Sequence, residues 1–315
     1  MPDEMRDVFG QTLVDLGREF PEIVVLDADL NTSSKTVLFK DTFPQRFIQC
    51  GIAEQNMFGV AAGLAMQGYI PFPSTFAVFA AKRALDQVTV SIAYPRLNVK
   101  IAGSYAGVPT SRAGASHNAI DDLAAMRAVP NVRVADPGAN RELRGMMRAA
   151  VLTPGPIYFR VTRVTLPDLM SADYAFQWGV GVRLREGDDV SLVGTGMMTS
   201  LCIEAADLLA RDGVRADVLH CGSIKPIDAD LLADSAGRTG AVVTAENASI
   251  LGGLGSAVAE VLGERAPAAL RRIGVRDQFV SSGGTQELLH HHGMTPQHIA
   301  TAAREAMAAR DGKNA

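Results

Sequence analysis

Apolar residues return along this chain in two alternating rhythms. Short runs rich in Val, Ile and Leu have the character of strands buried on both faces, and the stretches between them repeat apolar positions every three or four residues, as amphipathic helices do. In the first half the pattern predicts a helix over Arg6 to Glu19, a strand over Ile23 to Asp27, a β-rich run over Phe47 to Cys50 and a helix opening near Glu54. A strand over Tyr69 to Pro73, a long helix from Ala77 to Ile92 and a strand over Leu97 to Ala102 follow. After a loop over residues 103–118 come a helix over Ala119 to Met126, a strand over Val132 to Ala135, a helix over Asn140 to Ala150 and a strand over Ile157 to Val161. From Leu166 to Gly187 the rhythm lapses into mixed Pro, Asp, Tyr and Gly, the character of a crossover between domains.

The alternation then resumes: strands over Val190 to Val193, Arg215 to Leu219, Ala241 to Ala245 and Arg271 to Val275, with helices over Ser200 to Arg211, Ala229 to Ala236 and Gly255 to Glu264, and closing helices from Gln286 onward. Repeated βα units imply parallel sheets. The expected fold class is α/β in two domains, each a largely parallel sheet flanked by helices, with residues 1–170 as the first, 171–187 as a linker and 188–315 as the second. A chain of 315 residues is long enough for both to bury a core.

Composition narrows the function classes. A formal charge of -4 and the lack of any Lys/Arg run leave no electrostatic footprint for nucleic acid. No apolar stretch reaches the length that spans a bilayer, and the opening Met-Pro-Asp-Glu-Met lacks the layout of a signal peptide, so the expectation is a cytoplasmic protein with no membrane partner. Three cysteines, Cys50, Cys202 and Cys221, form no CxxC pair and read as buried small hydrophobes. His290, His291 and His292 are consecutive, so their side chains diverge around a helix and cannot converge on one metal ion; they read as surface or interface histidines.

Glu54 is the first candidate for chemistry. It follows a β-rich run across Gly51 and opens a helix, where a carboxylate is favoured by the helix dipole. Taken alone it is a capping residue. Its surroundings change that reading: Gly51-Ile52-Ala53-Glu54-Gln55-Asn56-Met57, then Pro73-Ser74-Thr75-Phe76-Ala77-Val78-Phe79, Ala84-Leu85-Asp86-Gln87 and Gly103-Ser104, and beyond the crossover Ile224-Lys225-Pro226, Glu246-Asn247 and Gly252-Gly253. In order and spacing this series resembles the transketolase family over nearly the whole chain.

The resemblance implies thiamine diphosphate as cofactor. It implies that Glu54 hydrogen-bonds a nitrogen of the cofactor's pyrimidine and favours the tautomer that deprotonates the thiazolium carbon, while Phe76 and Phe79 pack on the ring and exclude water. It assigns His117 to the substrate's carbonyl or terminal hydroxyl, and Arg6, Ser33 and Arg163 to a substrate phosphate. The family's Gly-Asp-Gly motif, which binds the diphosphate through Mg²⁺, is missing; Gly187-Asp188-Asp189 is the nearest string and has no Asn at the family's distance. The resemblance therefore implies a separate partner subunit carrying the diphosphate-binding domain and most of the metal's ligands, in an α2β2 assembly, with no metal ligands in this chain. Loop 103–118 departs from the family: Tyr105 replaces a His, and Arg112-Ala113 replaces an acidic pair whose Asp reads a sugar hydroxyl. That loss implies a different or relaxed sugar substrate.

Three other readings compete with ketol transfer by a split transketolase. The β subunit of a 2-oxoacid dehydrogenase decarboxylase shares the layout, but Ala-Glu-Gln-Asn-Met and Pro-Ser-Thr-Phe stand closer to transketolase. A deoxyxylulose phosphate synthase normally carries all its domains on one chain. A noncatalytic assembly subunit would have little reason to keep Glu54, Phe76 and Phe79. Two glycine-rich turns, Gly194-Thr195-Gly196 and Gly252-Gly253-Leu254-Gly255-Ser256, read as tight helix entries rather than nucleotide loops.

Overall fold

The computed structural model describes residues 3–312. In chain order the first unit contains α1 (Met5–Glu19), β1 (Ile23–Asp27), the short helices α2 (Asn31–Ser34) and α3 (Val37–Thr42), β2 (Phe47–Gln49), α4 (Glu54–Met66), β3 (Ile70–Phe76), β4 (Lys100–Ser104), α5 (Asp122–Ala128), β5 (Arg133–Ala135), α6 (Asn140–Leu152) and β6 (Ile157–Val161). The second contains β7 (Val182–Arg185), β8 (Val190–Gly194), α7 (Met198–Ala210), β9 (Ala216–His220), β10 (Ser223–Lys225), α8 (Ala229–Thr239), β11 (Ala241–Ser249), α9 (Leu254–Arg265), β12 (Ala269–Val275), α10 (Thr285–His291) and α11 (Pro296–Asp311). They build a seven-stranded sheet in the order β10-β5-β6-β4-β3-β1-β2 and a five-stranded sheet in the order β12-β11-β8-β9-β7. All strand pairs are parallel except β10 with β5 and β7 with β9, so the two largely parallel sheets flanked by helices agree with the alternation in the sequence.

The structure differs from the sequence pattern in three places. Strand β3 runs on to Phe76 instead of stopping at Pro73, and no single helix follows it: two π-helical segments, Phe79–Arg83 and Gln87–Ala93, occupy the stretch. Pro71 and Pro73 are tolerated because of their parity. The N–H of Ile70 points to the β1 side, where it bonds the carbonyl of Glu22, so the two prolines face β4, and β4 pairs with β3 only from Ser74 onward. Second, Val182–Arg185, inside the stretch expected to link the units, is an antiparallel edge strand on β9. Third, β10 leaves the second unit and pairs with β5 in the first sheet.

The units are therefore interleaved, and charged groups fill part of the contact. Arg160 on β6 is buried; it pairs with Asp122 and, at 3.4 Å, with Asp136, and donates to the carbonyl of Asn247 at 2.9 Å. Burial raises the Asp136 carboxyl to about 6, against the pull of Arg160. Nearby, Glu142 of the first unit accepts from the Gly138 N–H at 2.6 Å and from the Tyr174 hydroxyl at 2.9 Å, and meets His220 of the second unit at 2.8 Å. Burial works to raise the Glu142 carboxyl, but His220 and these donors bring it below the usual glutamate range.

No helix among the described residues is long and apolar enough to cross a membrane. Cys202 and Cys221 are buried, with burial pushing both thiols up to about 12, whereas Cys50 is only half-buried because β2 is an edge strand. The three histidines also divide. His290 and His291 are exposed, but His292 is buried at the end of α10, with Nδ1 3.0 Å from Nε2 of Gln278.

Candidate active site

In open parallel sheets, ligands bind beyond the carboxyl ends of the strands, near the point where strand order reverses. Here the chain moves from β1 outward to β2 and then back across β1 to β3. Along this edge Glu54 follows β2, Ser33 follows β1, Phe76 and Phe79 end and follow β3, Tyr105 and His117 follow β4, and Arg163 follows β6. Parallel pairing thus collects residues from across the sequence into one row.

The row is held by direct contacts. Glu54, at the first position of α4, is 1% exposed, and Nη1 of Arg83 donates to its two carboxylate oxygens at 3.0 and 2.9 Å. The Arg83 guanidinium lies 4.3 Å from the centroid of Phe79. Phe79 stacks on Phe76 at 5.9 Å and 22°, and Phe76 stacks on Tyr105 at 4.4 Å and 28°. His117 stands edge-on to both phenylalanines, at 6.0 and 5.4 Å, with Nδ1 2.8 Å from the Ser116 hydroxyl. Beyond Tyr105 the row turns basic: Nη1 of Arg6 donates to the Tyr105 hydroxyl at 2.8 Å, and the Arg163 guanidinium lies 5.2 Å from the Tyr105 ring. Arg6, Ser33, Phe76, Tyr105, Arg112 and Arg163 line a cleft of about 750 Å³.

Each part is fixed by local structure. The buried Asp27 carboxylate, raised by burial, accepts from the Leu30 N–H at 2.6 Å and from the hydroxyls of Ser34 at 3.2 Å and Thr36 at 2.8 Å, which folds the turn carrying Ser33. Arg6 is drawn to the same turn, donating to the Ser33 carbonyl at 3.4 Å, and is paired with Glu4 at 2.6 Å. The loop after β4 is held from the second unit. Oδ1 of Asn247 accepts the Val108 N–H at 2.9 Å, and the Ser249 N–H donates to the Ile120 carbonyl at 2.6 Å. Glu246 beside it has a different task, accepting the N–H groups of Leu254 and Gly255 at 2.8 Å each; it closes the N-terminus of α9, and its carboxyl is raised by burial to about 7. The glycine run at 252–255 is thus a helix entry that the chain caps itself.

The residues expected to meet a pyrimidine fit one chemically. A carboxyl group shut away from water, and linked through Arg83 to a pair of near-parallel apolar rings, suits a flat heteroaromatic ring with a basic nitrogen. Among the described residues no group of three or more His, Cys, Asp or Glu side chains could hold a metal ion. Arg6, Ser33, Phe76 and Arg163 line one cleft; Phe79 and His117 pack against Phe76 beside it, and Arg83 links Glu54 to Phe79. Sequence reasoning missed Arg83, which reads as one more polar position on the expected long helix. It also noted Tyr105 only as a departure, although that side chain joins the aromatic row to the arginines.

Comparison with known proteins identifies both domains. Residues 3–168 match the transketolase pyrimidine-binding domain and residues 179–299 the transketolase C-terminal domain. The 6-deoxy-6-sulfo-D-fructose transketolase subunit SqwH of a Clostridium species is 43% identical, over 96% of this chain and 94% of its own length. A subunit of the apulose-4-phosphate transketolase of Phocaeicola vulgatus is 35% identical, over 95% and 96%. A solved structure described as a split gene transketolase, inactive β4 tetramer, matches with a TM-score of 0.90 at 48% identity, covering 96% of this chain and 98% of that one.

Proposed function

This chain belongs to the transketolase family, and from that premise we propose that it is the pyrimidine-binding half of a two-subunit enzyme that moves a two-carbon ketol unit between sugars. The carrying observation is the row from Phe79 through Phe76 and Tyr105 to Arg6 and Arg163, with the buried Glu54 linked to Phe79 by Arg83, which brings an acid, an aromatic wall and a cationic cleft into one neighbourhood.

When bound, thiamine diphosphate supplies a nucleophilic carbon that accepts the ketol unit from one sugar and passes it to another. On our reading Glu54 shares a proton with a ring nitrogen, and its burial strengthens that hydrogen bond. Phe76 and Phe79 form the wall against the ring and keep water from it. His117, edge-on to that wall, holds the substrate's carbonyl or hydroxyl. Arg6, Ser33 and Arg163 grip the far end of the substrate; Arg112 lies in the same cleft, and Ala113 leaves one sugar hydroxyl unread. The names of two relatives specify a sulfonated and a phosphorylated sugar. Both ends are tetrahedral oxyanions suited to arginine, so the substrates we propose are sugars tipped by such a group.

The diphosphate and Mg²⁺ belong, on this reading, to a partner subunit in an α2β2 complex. The test is reconstitution: the chain combined with a partner bearing a Gly-Asp-Gly motif transfers a ketol unit between sugar phosphates, and Glu54→Ala in that complex removes turnover while the far-UV spectrum stays unchanged. Retention of the rate by Glu54→Ala would refute the role.

A further inference from the structure

Arg83 touches two groups assigned above to the pyrimidine, Glu54 and Phe79. Its Nη1 donates to both oxygens of the Glu54 carboxylate, and its guanidinium carbon lies over the Phe79 ring, 4.3 Å from the centroid. A carboxylate that is 1% exposed is costly to leave uncompensated, and Arg83 compensates it. The arginine itself is not locked in: its side chain is 47% exposed, so it can turn into solvent without being pulled from a core. It closes the π-helical segment Phe79–Arg83, and the wide turn returns its side chain over the ring that begins the same segment. A planar, delocalised cation stacked on an aromatic face and bonded to a carboxylate imitates a flat heteroaromatic ring that donates to that carboxylate.

We propose that Arg83 is a displaceable latch on the cofactor site. It occupies the contacts of Glu54 and Phe79 while the ring is away and yields both when the ring enters. This rests on the assignment of Glu54 to the pyrimidine. The latch keeps a buried acid compensated in a chain separated from its partner, at the expense of cofactor affinity. It makes Arg83 a positioning residue that acts through Glu54 and Phe79, with no contact to reacting atoms.

The experiment is calorimetric titration of thiamine diphosphate, with Mg²⁺, into the reconstituted two-chain complex. Wild type is compared with Arg83→Met, Arg83→Gln, Glu54→Gln and the double variant Glu54→Gln/Arg83→Met, each first checked for a wild-type thermal melt. Either Arg83 variant that melts as wild type does is expected to bind about tenfold more tightly, a difference of about 1.4 kcal/mol, with kcat at saturating cofactor unchanged. In the Glu54→Gln background the effect of Arg83→Met is expected to fall to within about twofold, as it must if the arginine competes for that carboxylate. Affinity unchanged or weakened in a folded Arg83 variant overturns the latch, as does a lower kcat, because either makes Arg83 a support of the loaded site. Failure of the wild-type complex to bind thiamine diphosphate overturns the cofactor assignment itself, and the latch with it.

Discussion

Glu54 is sealed from solvent at the mouth of a helix, and its charge is answered by one half-exposed arginine. That imbalance gives the residue its chemical interest, because helix capping does not require burial. The cysteines offer a simple check on burial at the same scale. Thiols raised to about 12 by burial have almost no thiolate near neutral pH, so a thiol reagent at about pH 8 is expected to label Cys50 in the folded protein ahead of Cys202 and Cys221, which react only after unfolding. Peptide mapping of the labelled sites checks this. Most of the aromatic and basic residues of the row were legible in the sequence because motif spacing carries them. Arg83 was not, because a polar residue in a helical period looks solvated until the fold shows what it touches. His292, read with its neighbours as a surface or interface histidine, is buried as the C-cap of α10, a placement that the divergence of adjacent side chains allows but does not assign to one of the three.

At the scale of elements, α1 deserves weight because it holds Arg6 at its start and packs on the turn that carries Ser33. Their approach is close: a Cβ on Gly10 would stand 2.6 Å from the Lys35 carbonyl oxygen. Gly10→Ala is expected to push the helix from the turn, costing about 1 to 3 kcal/mol of stability and raising KM for the anionic sugar more than it lowers kcat. Urea denaturation and steady-state kinetics of the reconstituted complex check the two parts. The C-terminal end of β3 and the π-helical segments after it could not be read from period alone. The expected strand stops at Pro73, and the later start of β4 explains how β3 runs through Pro71 and Pro73 to Phe76. Asp228 caps α8 through the Leu231 N–H at 3.0 Å and also accepts from Gly181 just before β7, at 2.9 Å. Asp228→Ala is expected to cost about 1 to 2 kcal/mol by loss of the cap, visible as a lower melting temperature.

Across the whole molecule, the second unit does more than follow the first. Its β10 extends the first sheet, its Asn247 holds the loop bearing Tyr105 and His117, and its His220 closes on Glu142. The sequence disclosed the two α/β layers but not this interleaving, which depends on a three-residue strand and single polar contacts with no periodic signature. The His220–Glu142 contact has a pH consequence. A carboxylate whose folded value lies below its unfolded one stabilises the fold above the ordinary glutamate range, about 4.3, and that contribution is lost as pH falls through the folded value. Glu142→Gln is therefore expected to cost on the order of 3 kcal/mol near neutral pH and progressively less in acid, measured as urea midpoints that converge with wild type as pH falls. The central claim is that this chain supplies half of a site whose metal-binding half lies on another polypeptide. The most direct measurement is ketol transfer, with thiamine diphosphate and Mg²⁺ present, by this chain alone, by the partner alone and by the two mixed. Turnover only in the mixture is the predicted result; robust turnover by this chain alone would contradict it.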